Sequence, residues 1–236
     1  MIWIGTSGYS YPEWKGSFYP ADLPTTRMLP YYAERFPTVE INNTFYRMPT
    51  AKALAGWAEA TPEQFKLTLK APRRITHDAR LRDCENVVDA FCQAASTLGE
   101  KLGVLLFQLP PFLKKDLDVL DKFLGWLHPG MRAALEFRND SWHDDSVYEL
   151  LRGRNVALCI ADSEKMSTPA VATADYGYLR LRDEGYAEGD LRRWAETIRQ
   201  HGPAWSDTFV YFKHEEEGKG PELAAALMAL TTEPRA

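Results

Sequence analysis

The chain predicts an α/β fold, a TIM-type (β/α)8 barrel formed by a single domain over residues 1–236. Three observations carry that reading. About eight short apolar segments alternate with helix-patterned ones along the 236 residues, as parallel strands joined by crossover helices do. Several of those segments alternate apolar and charged residues, so one face must meet helices and the other a shared axis. No composition shift, repeat or Ser/Gly/Pro-rich linker divides the chain, and barrels of this type commonly take roughly 250 residues. An open doubly wound sheet is the competing architecture. It lacks the GxGxxG turn that would follow its first strand.

The elements follow in order. Residues 2–5 form a strand that runs into Gly5-Thr6-Ser7-Gly8, which reads equally as a turn and as an anion nest. Residues 9–20 are an aromatic loop with Trp14, Phe18 and Tyr19. Residues 25–36 read as a helix and 38–41 as a strand; Thr50 caps a helix to about residue 60. The strand at 65–70 leads into a loop, 71–81, holding Arg73, Arg74 and His77. A helix spans about 84–98, a strand 104–108, and Pro110-Pro111 stops it. A helix covers about 116–127. The stretch RAALEFRNDSW at 132–142 is a strand with a charged end, followed by a helix at 144–152. Strands at 156–161, 178–182 and 208–213 complete the set, with helices at 189–201 and 221–230. The connection after Asp162 shows no helical pattern.

Lys66, Thr68 and Lys70 alternate with Phe65, Leu67 and Leu69; Glu40 sits between Val39 and Ile41; Glu136 and Arg138 alternate with Leu135 and Phe137; Tyr178, Arg180 and Arg182 alternate with Leu179 and Leu181. The apolar sets must pack on helices, so the charged sets point to the barrel axis. That predicts an ionic lumen in which Glu40 and Glu136 pair with Lys66, Lys70, Arg138 or Arg180, because an unpaired buried charge costs several kcal/mol. Cations exceed acids at the strand ends: Lys70, Arg74, Arg138, Arg180, Arg182 and Lys213 against Glu40, Glu136 and Asp162. Such a mouth attracts a phosphate or carboxylate, and the active sites of these barrels lie at that end. Lys219, in Gly218-Lys219-Gly220-Pro221, opens the last helix where backbone N–H groups can approach an anion.

Composition is that of a globular protein, 45% hydrophobic and 26% charged, with a net charge of −5. That balance argues against a chain-wide nucleic-acid or acidic-membrane footprint and leaves room for a local basic pocket. Three cysteines without CxxC or metal-ligand spacing, no leader-like start and no run of ~20 apolar residues place the expected location in the cytoplasm, away from membranes. No cofactor is named by any motif. A divalent metal stays open, with Glu40, Glu136 and Asp162 as ligand candidates, although HxH and HExxH are absent. His77 reads as an acid–base group, a ligand or a surface residue. Lys70 suits Schiff-base chemistry if desolvated among cations, and suits plain anion binding equally.

The segments GTSGYSYPEWKGSFYP, VEINNTFYRMP, FKLTLKAPRRITH, LLFQLPP, ALEFRNDSW and IAD, in that order, resemble the DUF72 (YecE-like) family over nearly the whole chain. The resemblance implies a closed TIM-type barrel. It implies little about activity, beyond a likeness of that barrel to metal-dependent DNA-repair endonucleases and hence to phosphodiester or nucleic-acid substrates. It adds Asn42 and Gln108 to a set of mouth residues that match family motifs: Thr6, Ser7, Gly8, Glu40, Lys70, His77, Glu136, Arg138 and Asp162. The chain departs from the family after its last strand, where Lys213-His214-Glu215 stands in place of an Asn-rich turn.

Two functional expectations result. In one, an enzyme acts on a small phosphorylated or carboxylated compound or on a phosphodiester, as a hydrolase or a lyase/isomerase. Glu136 is then the acid–base group or metal ligand, Glu40 assists, Lys70, Arg138 and Arg180 hold the anion, and His77 moves a proton. In the other, a non-catalytic protein binds anions or nucleic acid through Trp14, Phe18, Tyr19, Arg73 and Arg74.

Overall fold

The computed structural model describes residues 1–164 and 166–232. Its strands are β1 (Ile2–Ser7), β2 (Thr38–Ile41), β3 (Lys66–Lys70), β4 (Leu102–Gln108), β5 (Ala133–Glu136), β6 (Ala157–Ser163), β7 (Met166–Ser167), β8 (Tyr176–Leu181) and β9 (Asp207–Phe212). All but β7 pair in parallel, and pairing of β5 with β6 closes an eight-stranded barrel. The helices between them are α1 (Met28–Ala33), α2 (Ala51–Glu59), α3 (Glu85–Ser96), α4 (Leu117–Leu124), α5 (Asp145–Gly153) and α6 (Glu188–His201), with α7 (Lys219–Thr232) after the last strand. Three helices start where a side chain satisfies an orphan amide. Thr50, Asp116 and Asp144 accept from Ala53, Val119 and Ser146 at 3.2, 3.1 and 3.0 Å. Among the described residues no helix is long and apolar enough to cross a membrane.

The sheet divides the apolar residues into two separate cores. Ile4, Val39, Leu67, Leu69, Leu105, Phe107, Leu135, Ile160, Leu179 and Val210 face out and pack with the helices. Trp3, Val104, Leu106, Ala134, Ala157, Cys159, Ala161, Tyr176, Tyr178, Phe209 and Tyr211 fill the lumen. Large side chains from β8 and β9 occupy space left by the alanines of β5 and β6, which is how a barrel interior becomes a packed core. The lumen is therefore aromatic through most of its length, and charge is concentrated at its two ends. The expected ionic interior is confined to the last layer of side chains.

Three local expectations are corrected, and the one for the connection after Asp162 holds. Lys66 does not join the glutamates: it caps the amino-terminal end, donating to the Glu100 carbonyl and lying 5.5 Å from the Trp3 ring. The helix expected at 25–36 is a 3-10 turn, Thr25–Arg27, followed by the short α1. The loop at 71–81 contains a π-helical turn, Arg74–Asp78. After β6 no helix forms. The chain turns back as β7, antiparallel to β6, and reaches β8 through an irregular segment.

Tyr32 of α1 ties the helix layer into the barrel wall. Its hydroxyl accepts the Thr6 N–H at 2.8 Å and donates to the Thr38 carbonyl at 3.0 Å, bridging β1 and β2 from outside. Tyr32→Phe removes both of these buried hydrogen bonds, at a cost of ~1–3 kcal/mol. The expected result is a lower urea midpoint with an unchanged slope, read by circular dichroism.

Candidate active site

At the carboxyl ends of the strands, side chains from β1, β2, β4, β5 and β8 converge on the guanidinium of Arg180. Arg180 and the two glutamates it bridges are almost wholly withdrawn from solvent. Arg180 Nε and Nη2 donate to Glu40 Oε2 and Oε1 at 2.9 and 2.6 Å, a two-point fork, and Nη1 donates to Glu136 Oε2 at 2.6 Å. Ser7 Oγ donates to Glu40 Oε1 and Tyr178 OH to Glu40 Oε2, each at 2.5 Å. Glu40 thus receives four hydrogen bonds on its two oxygens, as many as a carboxylate offers. Glu136 Oε2 also accepts from Gln108 Nε2 at 2.7 Å, and its Oε1 from Arg138 Nε at 2.9 Å, with Arg182 Nη2 at 3.6 Å. Asn42 Nδ2 donates to Ser7 Oγ at 2.7 Å and so buttresses the serine.

Burial by itself would raise the pKa of both glutamates. The field of Arg180 together with the hydrogen bonds from Arg180, Ser7 and Tyr178 outweighs it at Glu40, and Arg180, Arg138 and Arg182 with the Gln108 hydrogen bond outweigh it at Glu136, so both carboxyls lie below the ordinary carboxylate range. Such carboxylates have no proton to give and few lone pairs to spare. Tyr178 is pushed well up by burial and by Glu40, which keeps its hydroxyl protonated and donating.

Four groups surround this knot, and two of them line a cleft. Arg138 and Arg182 are 28% and 17% exposed at the side chain. They line a cleft of about 750 Å³ with Pro111, Asn139, Asp140 and Glu184. Arg182 Nε is buried and has no hydrogen-bond partner among the described residues. Lys70 Nζ donates to Gln108 Oε1 at 2.9 Å and lies 4.3 Å from the Phe45 ring. Its pKa is lowered to about 8 by burial and then by Arg180, against the pull of Glu40 and Glu136. His77 packs edge-on against the same Phe45 ring at 5.0 Å. Burial and the nearby charge of Lys70 lower its pKa, so the imidazole is neutral at pH 7. Its Nδ1 lies 2.9 Å from Thr76 Oγ1.

Other expected residues take different places. Asp162 follows Leu158 and Ile160 on the outward face and accepts from Tyr186 at 2.8 Å, so it stands apart from the glutamates. The suggested metal trio therefore does not assemble: among the described residues no three His, Cys, Asp or Glu side chains are grouped to hold an ion, and Glu40 and Glu136 already serve nitrogen and hydroxyl donors. The anion nest at Thr6–Gly8 is also overturned. The Thr6 amide goes to Tyr32, and the Gly8 amide to the Glu40 carbonyl at 2.8 Å. Gly8 has φ +93, and a Cβ there would meet Tyr11 at 2.4 Å, so the glycine serves a tight turn. Arg74 is exposed and has no ion pair among the described residues. Lys213 and Lys219 sit on a second cleft of about 330 Å³, which Arg182 also lines, and each has a carboxylate of its own, Glu215 at 3.7 Å and Glu222 at 3.0 Å. Trp14 and Tyr19 are core residues and Phe18 packs against them, so the aromatic contact face is not present. Sequence reasoning did not include Tyr178 and Phe45 in the site. Tyr178 was legible, being two residues before Arg180 on the same face.

Arg180→Met strands two buried carboxylates, so a loss of ~3–5 kcal/mol in urea unfolding is expected. The sign for acid follows from the lowered carboxyls. Their stabilisation is complete above the ordinary value of 4.5 and drains away as pH falls below it toward the folded values. The unfolding midpoint of the native chain should therefore drop steeply below pH 4.5, and that of the Arg180→Met variant much less.

The model described as "Protein of unknown function DUF72" matches residues 3–236. UPF0759 protein YunF of Bacillus subtilis is 32% identical, over 98% of this chain and 94% of YunF. UPF0759 protein YecE of Escherichia coli K12 is 31% identical over 69% of this chain, and the matched stretch spans only 60% of YecE. A crystal structure of a DUF72 family protein from Thermotoga maritima superposes with a TM-score of 0.85 at 26% identity, covering 99% of this chain and all of that one. D-psicose 3-epimerase from Clostridium cellulolyticum, at a TM-score of 0.54 and 12% identity over 94% of this chain and 95% of its own, shares the fold alone.

Proposed function

This chain belongs to the DUF72 family, and since membership leaves the chemistry open, we propose from the mouth itself an enzyme acting on a small phosphate- or carboxylate-bearing substrate. Arg138 and Arg182 hold the anion, Lys70 and His77 face the reacting part of the molecule, and Glu40 and Glu136 fix Arg180 and Arg138 in place of exchanging protons. The observation that carries this reading is Arg182. It is anchored to Glu136 only at 3.6 Å, its buried Nε has no partner among the described residues, and it lines both clefts. A buried guanidinium donor without an acceptor is costly, and an anion oxygen beside Arg138 would satisfy it.

Phosphodiester hydrolysis is the less favoured version of this reading. It needs a group to activate water, and the two glutamates are held ionised with their oxygens already engaged. A lyase or isomerase step, in which an amine and an imidazole handle one proton, fits the four groups around the glutamates better.

A second reading, nucleic-acid binding, keeps one supporting observation. Tyr46 and Phe112 are 78% and 61% exposed on loops after β2 and β4, and Arg80 lies over Phe112 at 5.1 Å. Exposed rings beside cations stack bases.

Calorimetric titration with orthophosphate and with malonate should show saturable binding, weakened at least tenfold in Arg182→Gln. Failure of both anions to bind removes the proposal. In parallel, a single-stranded oligonucleotide should show no binding at low salt; binding that falls steeply with salt would instead support the second reading.

A further inference from the structure

We propose that Lys70 condenses with the carbonyl group of an anionic oxo compound, an oxo acid or a phosphorylated aldehyde or ketone, to form a Schiff base at the mouth of the barrel. This deepens the preceding reading and rests on it for the anion.

The argument starts from how this lysine is held. It ends β3, its carbonyl is pinned by Thr44 Oγ1 at 2.6 Å, and it shares the inward face with Thr68. Several other lysines have charged or carbonyl partners. Lys115, Lys122, Lys213 and Lys219 pair with carboxylates, while Lys101 donates to the Ala58 and Thr61 carbonyls. Lys70 has no carboxylate within ion-pair distance among the described residues; its acceptor is a neutral amide. Gln108 cannot turn its amide over without losing Glu136, to which Nε2 donates at 2.7 Å. So Nζ is held by one fixed oxygen and one aromatic face, between two cationic neighbours, Arg180 and Arg138. Burial and those cations favour the neutral amine, opposed by Glu40 and Glu136, and the balance puts its titration near pH 8. An amine so held is a nucleophile in water at ordinary pH.

The chain of contacts also sets the reach of a substrate. Lys70 bonds Gln108, Gln108 bonds Glu136, and Glu136 bonds Arg138. A molecule whose anionic end sits on Arg138 and Arg182 brings a carbonyl a few bonds away toward Nζ. In the step, the lone pair of neutral Nζ forms a bond to the carbonyl carbon, and the C=O π pair moves to oxygen, which takes a proton. The nitrogen gives up that proton and then its second, which passes to the new hydroxyl; the C–O bond breaks with its electron pair on oxygen, and water leaves as the nitrogen lone pair forms C=N. No electron is gained or lost overall. His77, beside the same phenylalanine ring, is the group placed to pass that proton to and from oxygen.

The test is reductive trapping. The protein is incubated at pH 7.5 with pyruvate or with glycolaldehyde phosphate, each with sodium cyanoborohydride, and mapped by peptide mass spectrometry. One adduct is expected, on the peptide carrying Lys70, at least tenfold above any other lysine and absent in Lys70→Arg. Labels spread over exposed lysines, with Lys70 unmodified by either probe, overturn the inference. Orthophosphate binding to the same preparation separates the two readings. Binding without Lys70 trapping leaves the anion site and removes the Schiff base; selective trapping without phosphate binding keeps the covalent step and removes the anion clamp. The wild-type map decides by itself, so an unstable variant does not blunt the experiment.

Discussion

The arrangement at the mouth depends on one planar cation. Arg180 places three donor atoms on two buried glutamates, and everything nearby is oriented through those two carboxylates. Ser7 and Tyr178 fill what remains of Glu40; Gln108 and Arg138 bring Glu136 to three hydrogen bonds, with Arg182 at 3.6 Å. The isolated charges would be very costly to bury, and only a saturated network of this kind makes their burial tolerable. A lysine at position 180 could not serve, because one ammonium cannot present a fork to one carboxylate and a third donor to another.

That network has a consequence for chemistry. The acids that a barrel mouth would ordinarily use as proton carriers are here committed to holding cations. Other groups hang on the network without being saturated by it: Arg182 with its unpartnered Nε, Arg138 at the cleft edge, and Lys70 held by a neutral amide. At the opposite end the barrel is closed without reactive groups. Asp207 is shared by Arg132 at 2.7 Å and Trp3 at 3.1 Å, and Arg132 lies over Tyr176 and Phe209. Between the two ends the lumen is a dry aromatic plug, so the mouth has a floor and no channel.

The barrel was legible in the alternation of segments, and the inward direction of Glu40, Lys70, Glu136 and Arg180 followed from period two within each strand. The same rule puts Tyr178 on the inward face with Arg180 and, carried along β6, sends Asp162 outward with Leu158 and Ile160. Lys66 shows the rule's limit. It shares a face with Lys70 but lies two inward positions lower, below Thr68, at the closed end. Direction is a local property of a strand; depth along the axis depends on the stagger between strands, and no single segment contains it.

The sequence alone thus determined the closed α/β architecture, the end at which charge collects and the face on which most charged residues lie, because these follow from periodicity and from the cost of burying polar groups. The tertiary structure decided who pairs with whom. Residues 40, 136 and 180 come from strands far apart in the chain, and only closure of the sheet sets the distances that give Glu40 four hydrogen bonds and Glu136 three. Whether a carboxylate is a proton carrier or a fixed counter-ion depends on how many donors surround it, and that number is a property of the folded site.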